Sequence, residues 1–129
     1  MTITTFTQTI LFTDTDGRAK FKTEEIALTE GNPQAMLSKL TPSGGYQIRH
    51  SPIGFRSQFH VTVIPQWVFI LSGAMQIYLQ DGTSRTFISG QHFYSNDKLP
   101  DGASFDPKLH GHWSAQLGDE PLVTLFVRA

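Results

Sequence analysis

No cysteine occurs in the 129 residues, so the chain can build neither a disulfide framework nor a thiolate metal site. Any metal it holds must be bound by nitrogen and oxygen. An excess of one charge is also missing. Ten Lys and Arg stand against eleven Asp and Glu, with no basic cluster, which argues against a nucleic-acid partner. Long apolar runs are scarce: the longest, Trp67 to Leu71, falls far short of the roughly twenty residues that a membrane-spanning helix requires. The start, Met1-Thr2-Ile3-Thr4-Thr5-Phe6, has neither the basic opening nor the apolar block of a secretion signal. These absences point to a soluble, cytoplasmic protein. Nucleophilic catalysis has no support either, since no Gly-x-Ser-x-Gly elbow is present, and no glycine loop resembles a phosphate cradle.

What is present reads as β-structure. The length suits one domain with a real core. Gln8 to Thr13 and Ala19 to Lys22 flank Asp14-Thr15-Asp16-Gly17, whose Asp-Gly supplies the positive φ of a hairpin turn. Asp81-Gly82 repeats the device between Ala74–Leu79 and Arg85–Ile88. In the first of those runs Met75, Ile77 and Leu79 share one face and Gln76 and Tyr78 the other, the period of a half-buried strand. Leu122 to Val127 is β-branched and aromatic enough to close a sheet. A helical turn is expected only at Pro33–Ser38. Short strands separated by Gly, Pro, Asn and Asp predict a sandwich or barrel. The segment Asn96 to Lys108 is rich in turn formers and aperiodic, and its length suggests a lid over whatever His112 faces.

Between Gly54 and Gly73 the chain resembles the first motif of the cupin superfamily. That motif is a glycine, five residues, His-x-His, three or four residues, Glu, six residues and a glycine. Gly54, His60, Gln66 and Gly73 occupy matching separations, with Thr62 at the second histidine and Gln66 at the glutamate. Gly90 and His112 resemble the ends of the second motif, spanning about 90–116 with Gln116 where asparagine is common. Asp16-Gly17 with Phe21, Phe59-His60, Gln66-Trp67-Val68, Leu71-Ser72-Gly73, Asp81-Gly82 with Arg85, Ser89-Gly90-Gln91 and Gly111-His112 are similar to a subgroup of small bacterial single-domain cupins. The resemblance implies an all-β, double-stranded β-helix or jelly-roll barrel over residues 1–129. It also implies a homodimer, paired through sheet edges or an exchanged strand pair within Thr7–Lys22.

For the site, a strand from Phe59 to Gln66 would put His60 and Thr62 on one face, with Pro65 resetting the phase so that Gln66 also faces inward. His110 and His112 share parity across Gly111. Metal ligands are therefore expected at His60, Gln66 and His112, with His110 as a fourth candidate, holding a divalent Fe, Zn, Ni or Mn ion. Such a centre would serve dioxygenase- or isomerase-like chemistry on a small organic substrate, with Thr62 orienting a water. Two alternatives remain open. One is a metal-free small-molecule-binding pocket; the other is metal-free acid–base catalysis by His60 or His112, as in epimerases and cyclases of related fold. Ligating imidazoles need a partner on the second nitrogen, and none can be named from sequence. His50 (in a turn-like stretch) and His92 (on a wall or surface) are expected to be structural. Trp67, Tyr78 and Trp113 are candidate pocket walls, with Phe59, Phe69 and Tyr46 behind them. Arg56 and Arg49 are candidates for gripping an acidic substrate, because a guanidinium matches a carboxylate in a bidentate fashion.

Overall fold

The computed structural model describes residues 3–129; Met1 and Thr2, part of the N-terminal stretch read above, lie outside the described residues. Among the described residues eleven strands follow one another: β1 (Thr5–Thr13), β2 (Ala19–Ala27), β3 (Glu30–Asn32), β4 (Ala35–Leu37), β5 (Tyr46–Ser51), β6 (Gln66–Ser72), β7 (Ala74–Tyr78), β8 (Ser84–Ile88), β9 (His92–Asn96), β10 (Trp113–Leu117) and β11 (Leu122–Arg128). Among the described residues no helix is long and apolar enough to cross a membrane.

Six strands form one sheet in the order β2-β1-β9-β6-β11-β5, and β10-β7-β8 form the second. The result is the all-β jelly-roll arrangement that the motifs implied. Both Asp-Gly turns close hairpins as expected. Gly17 (φ 84°) and Gly82 (φ 86°) adopt the left-handed backbone the turns require. Gly73 (φ 78°) sits between β6 and β7, and a side chain there would meet the Pro121 carbonyl oxygen at 2.4 Å.

Alternation decides what lies inside. Leu11, Val68, Ile70, Phe93 and Leu122 project from the larger sheet, while Met75, Ile77 and Phe87 answer from the smaller one, all buried. Phe87 and Phe93 meet across the layers with ring centroids 4.5 Å apart. Each such side chain contributes roughly 1.5–3 kcal/mol by leaving water.

Three expectations are corrected. The stretch Pro33–Ser38 is not helical; β3 and β4 pair there as a small antiparallel hairpin. His50 lies within strand β5 rather than in a turn. Phe59 to Gln66 is not a strand. It runs irregularly until β6 begins at Gln66, and its one ladder-like contact is the isolated bridge between His60 and His112. Pro65 has no N–H to offer a ladder, so regular pairing starts immediately after it.

Candidate functional site

The cavity opens at one end of the sandwich, where the irregular stretch 60–64 crosses between the sheets. Its volume is about 240 Å³, and its walls include His60, Thr62, Gln66, Ser95, His112 and Ser114. A cavity of about 150 Å³ can hold benzene, so this one admits a ligand somewhat larger. The larger sheet supplies one wall by register. Gln66 pairs with Ser95 on β9 and with Arg128 on β11, and all three reach the cavity.

Two backbone hydrogen bonds bring the histidines together. The His60 N–H donates to the His112 carbonyl at 2.9 Å, and the His112 N–H donates back at 3.0 Å. Such a close pair of backbones tolerates no side chain at Gly111, where a Cβ would lie 2.5 Å from the His60 carbonyl oxygen. The imidazole centroids are consequently 4.6 Å apart. His112 is buried on the floor, whereas His60 stands exposed at the mouth.

Each ring has one nitrogen committed. His112 Nδ1 lies 2.8 Å from Asp97 Oδ2, and His60 Nδ1 lies 2.8 Å from the Gln58 carbonyl oxygen. A carbonyl can only accept and an ionised carboxylate only accepts, so both Nδ1 atoms carry hydrogen. That leaves the two Nε2 atoms to face a ligand. The carboxylate of Asp97 is fully engaged, since its Oδ1 lies 2.6 Å from the Thr13 hydroxyl. The Asp97 backbone carbonyl also accepts from the Thr62 N–H at 2.6 Å, which fixes Thr62 beside Ser95 with their hydroxyls 2.7 Å apart.

Loss of hydration, the largest influence, pushes the His60 pKa below its ordinary value. The hydrogen bond to Gln58 opposes that shift, while neighbouring His112 and Arg49 add to it. The ring therefore rests in its neutral form at neutral pH.

Of the expected ligand set, His60, Gln66 and His112 share the cavity, as does Thr62. His110 does not line it. That ring is buried, and its Nδ1 accepts from the Asp106 N–H at 3.0 Å. The expected pocket walls lie elsewhere. Trp67 packs on Tyr94 on the outer face of the larger sheet, in a groove with Ile10 and Phe12. Tyr78 and Trp113 stack on each other outside the smaller sheet at 3.7 Å, with Arg56 over the Trp113 ring at 4.5 Å. Strand parity explains the displacement: Ser114 faces inward from β10, so its neighbour Trp113 faces out. His92, read as lying on a wall or the surface, is on the outer face of the larger sheet, stacked between Phe6 and Phe69.

The expected lid is corrected as well. None of residues 98–109 lines the cavity. The segment is tied down instead, with Gln80 Nε2 donating to the Pro107 and His110 carbonyls at 2.8 and 3.1 Å. Its role is to deliver Asp97 at one end and His112 at the other. Sequence reasoning missed Asp97, Ser95, Ser114 and Arg128. The signal for Asp97 was its place at the start of the turn-rich segment that ends at His112.

The donor chemistry fits a resident divalent cation poorly. Two imidazole nitrogens and a neutral Gln66 amide bring no negative charge, while Arg49 and Arg128 line the same cavity. Among the described residues no group of three or more His, Cys, Asp or Glu side chains could hold a metal ion.

No protein-family model matches the chain, and no curated protein matches it. Among solved structures, the chain is similar to one titled "Schizosaccharomyces pombe Cnp3 Cupin Domain". That likeness has a TM-score of 0.49 and 14% sequence identity, covering 97% of this chain and 83% of that one. Likeness at that level says nothing of ligand, partner or chemistry.

Proposed function

We propose that this protein binds a small polar organic molecule in the open end of its jelly roll, without a metal. The observation that carries this reading is a pair of adjacent imidazoles with both Nδ1 atoms committed, in a cavity that Thr62, Ser95 and Ser114 also line. A preformed set of convergent polar groups is what fixes the orientation of a small polar molecule. Val68, Met75, Ile77 and Phe93 supply apolar surface to the same cavity. The site would be formed within one copy of the chain, so a homodimer, if it forms, is not needed to complete it.

A panel of small polar compounds in a thermal-shift assay, run with and without a chelator, tests the reading. A ligand present at 100 times its dissociation constant adds about 2.7 kcal/mol of stability. Stabilisation that survives chelation and is lost in His60→Ala and His112→Ala supports it. Stabilisation only by Fe, Zn, Ni or Mn, lost in the same variants, overturns it in favour of a metal centre.

The Asp97–His112 contact favours a second reading, acid–base catalysis. A buried carboxylate at Nδ1 stabilises the imidazolium that forms when Nε2 accepts a substrate proton. His112 would then be the base, with His60 as its neighbour across the cavity. A turnover rate independent of pH would remove this reading.

A further inference from the structure

Arg49 enters the cavity from β5, opposite Thr124 of β11, with its guanidinium held between two aromatic faces. Its Cζ lies 5.1 Å from the Phe55 ring centroid and 4.8 Å from that of Phe126. Aromatic faces satisfy the charge in part but accept no conventional hydrogen bond from the edge of the guanidinium. Arg49 Nε and Nη2 are in fact buried with no hydrogen-bond partner. Among the described residues no carboxylate forms an ion pair with this arginine. Asp97, the carboxylate that holds His112, has both oxygens committed to His112 and Thr13.

Arginine remains charged, and Arg49, half-buried as a whole, keeps two of its side-chain nitrogens out of water without a partner, which is costly. Burial disfavours the charged form of Arg49, as its lowered pKa reflects. Arg128 adds a second positive charge to the wall, and among the described residues no acidic side chain lines the cavity. The charge on the wall therefore favours an anionic ligand.

We propose that the cavity is built for a small carboxylate, anchored by the Arg49 guanidinium and oriented by His60 and His112. The inference rests on the small-molecule reading above and names its ligand class. With no hydrogen bond tethering it, the guanidinium slides along the Phe55 and Phe126 faces to turn its edge toward the carboxylate. The His112 and His60 Nε2 acceptors then receive hydroxyl or amide hydrogens from the rest of the molecule. A ligand of this class carries its charge at one end and a hydrogen-bond donor a few atoms away, within a volume somewhat above that of benzene. The other candidate arginine is excluded by place, because Arg56 lies outside on Trp113.

Isothermal titration of the full chain tests this with matched pairs: lactate with lactamide, 4-hydroxybenzoate with 4-hydroxybenzamide, and malate with its diamide. The expected result is at least about tenfold tighter binding of one or more carboxylates than of the matching amide. Arg49→Met should remove that preference, and Arg49→Lys should keep part of it, since lysine retains the charge without the planar fork. Equal binding of acid and amide overturns the carboxylate proposal yet leaves the small-molecule reading standing. A preference that persists in Arg49→Met also overturns it. Failure of every acid and every amide to bind overturns both. The acid-to-amide comparison needs only the parent protein, so it holds even if Arg49→Met does not fold.

Discussion

Asp97 and His112 lie fifteen positions apart in sequence, yet His112 Nδ1 sits 2.8 Å from Asp97 Oδ2, with both residues almost wholly buried. Thr13, from the far end of β1, contacts the other carboxylate oxygen. One carboxylate therefore joins the first strand, the turn-rich segment and the cavity floor. It orients the ring by fixing its tautomer, and it does so from outside the cavity.

Asp97→Asn replaces one acceptor oxygen with a donor that faces either the Thr13 hydroxyl or His112 Nδ1–H. The expected cost is about 1–3 kcal/mol of folding stability, read by urea denaturation. Thr13→Val should cost a comparable amount, about 1–2 kcal/mol, because the lost hydroxyl donates to Asp97 Oδ1 and accepts from the Lys98 N–H at 2.7 Å. Full stability in Asp97→Asn would show that the contact does not support the fold.

Gly111 offers a sharper test of how the histidines are placed. Gly111→Ala must accept a left-handed backbone and a 2.5 Å approach to the His60 carbonyl, whereas Gly54→Ala at φ 90° meets no atom within 4 Å. The second substitution should cost about 1–2 kcal/mol from backbone strain alone. The first should cost clearly more and weaken ligand binding as well, since it separates His60 from His112. Equal losses in the two variants would mean that the close approach carries no weight.

Stability should also respond to pH through His60 and His92, both of whose pKa values are lowered chiefly by burial. A histidine with a depressed folded pKa takes up its proton first in the unfolded chain. Its contribution is thus complete above the ordinary value of about 6.5 and fades as pH falls toward the lower folded value. Unfolding free energy measured from pH 8 to pH 5 should fall below about 6.5. The slope should flatten in His60→Gln and again on adding His92→Gln. His60 is exposed at the cavity mouth, so its share is small. An unchanged slope in the double variant would refute the assignment.

Gln116 separates structure from binding. Its Oε1 accepts from the Gly54 N–H at 2.9 Å, and its Nε2 donates to the Gly118 and Glu120 carbonyls at 2.8 and 2.7 Å. Gln116→Leu should lose about 2–3 kcal/mol because three backbone groups lose their partner. Affinity for a cavity ligand, measured where the variant is still folded, should stay within about twofold, a shift of roughly 0.4 kcal/mol. A large loss of affinity would place Gln116 in the binding machinery.

Periodicity identified one of the core strands: Met75, Ile77 and Leu79 are buried as their alternation required, whereas β6 and β9, which carry Val68, Ile70 and Phe93, had no such reading. The Asp-Gly turns fixed two hairpins, since only a residue tolerant of positive φ can make them. His60, Thr62, Gln66 and His112 could be nominated because motif spacing does not depend on how the intervening chain runs. Their surroundings could not be read the same way. Trp113 and Trp67 fell outside because a strand gives its neighbours opposite faces, and register is set by pairing with distant strands. Asp97 and Arg49 acquired their partners through folding alone, a carboxylate beside an imidazole and a guanidinium against two rings. Local sequence specifies which groups are available; long-range packing decides which are left without an ion-pair partner, and here that group is the half-buried Arg49 guanidinium.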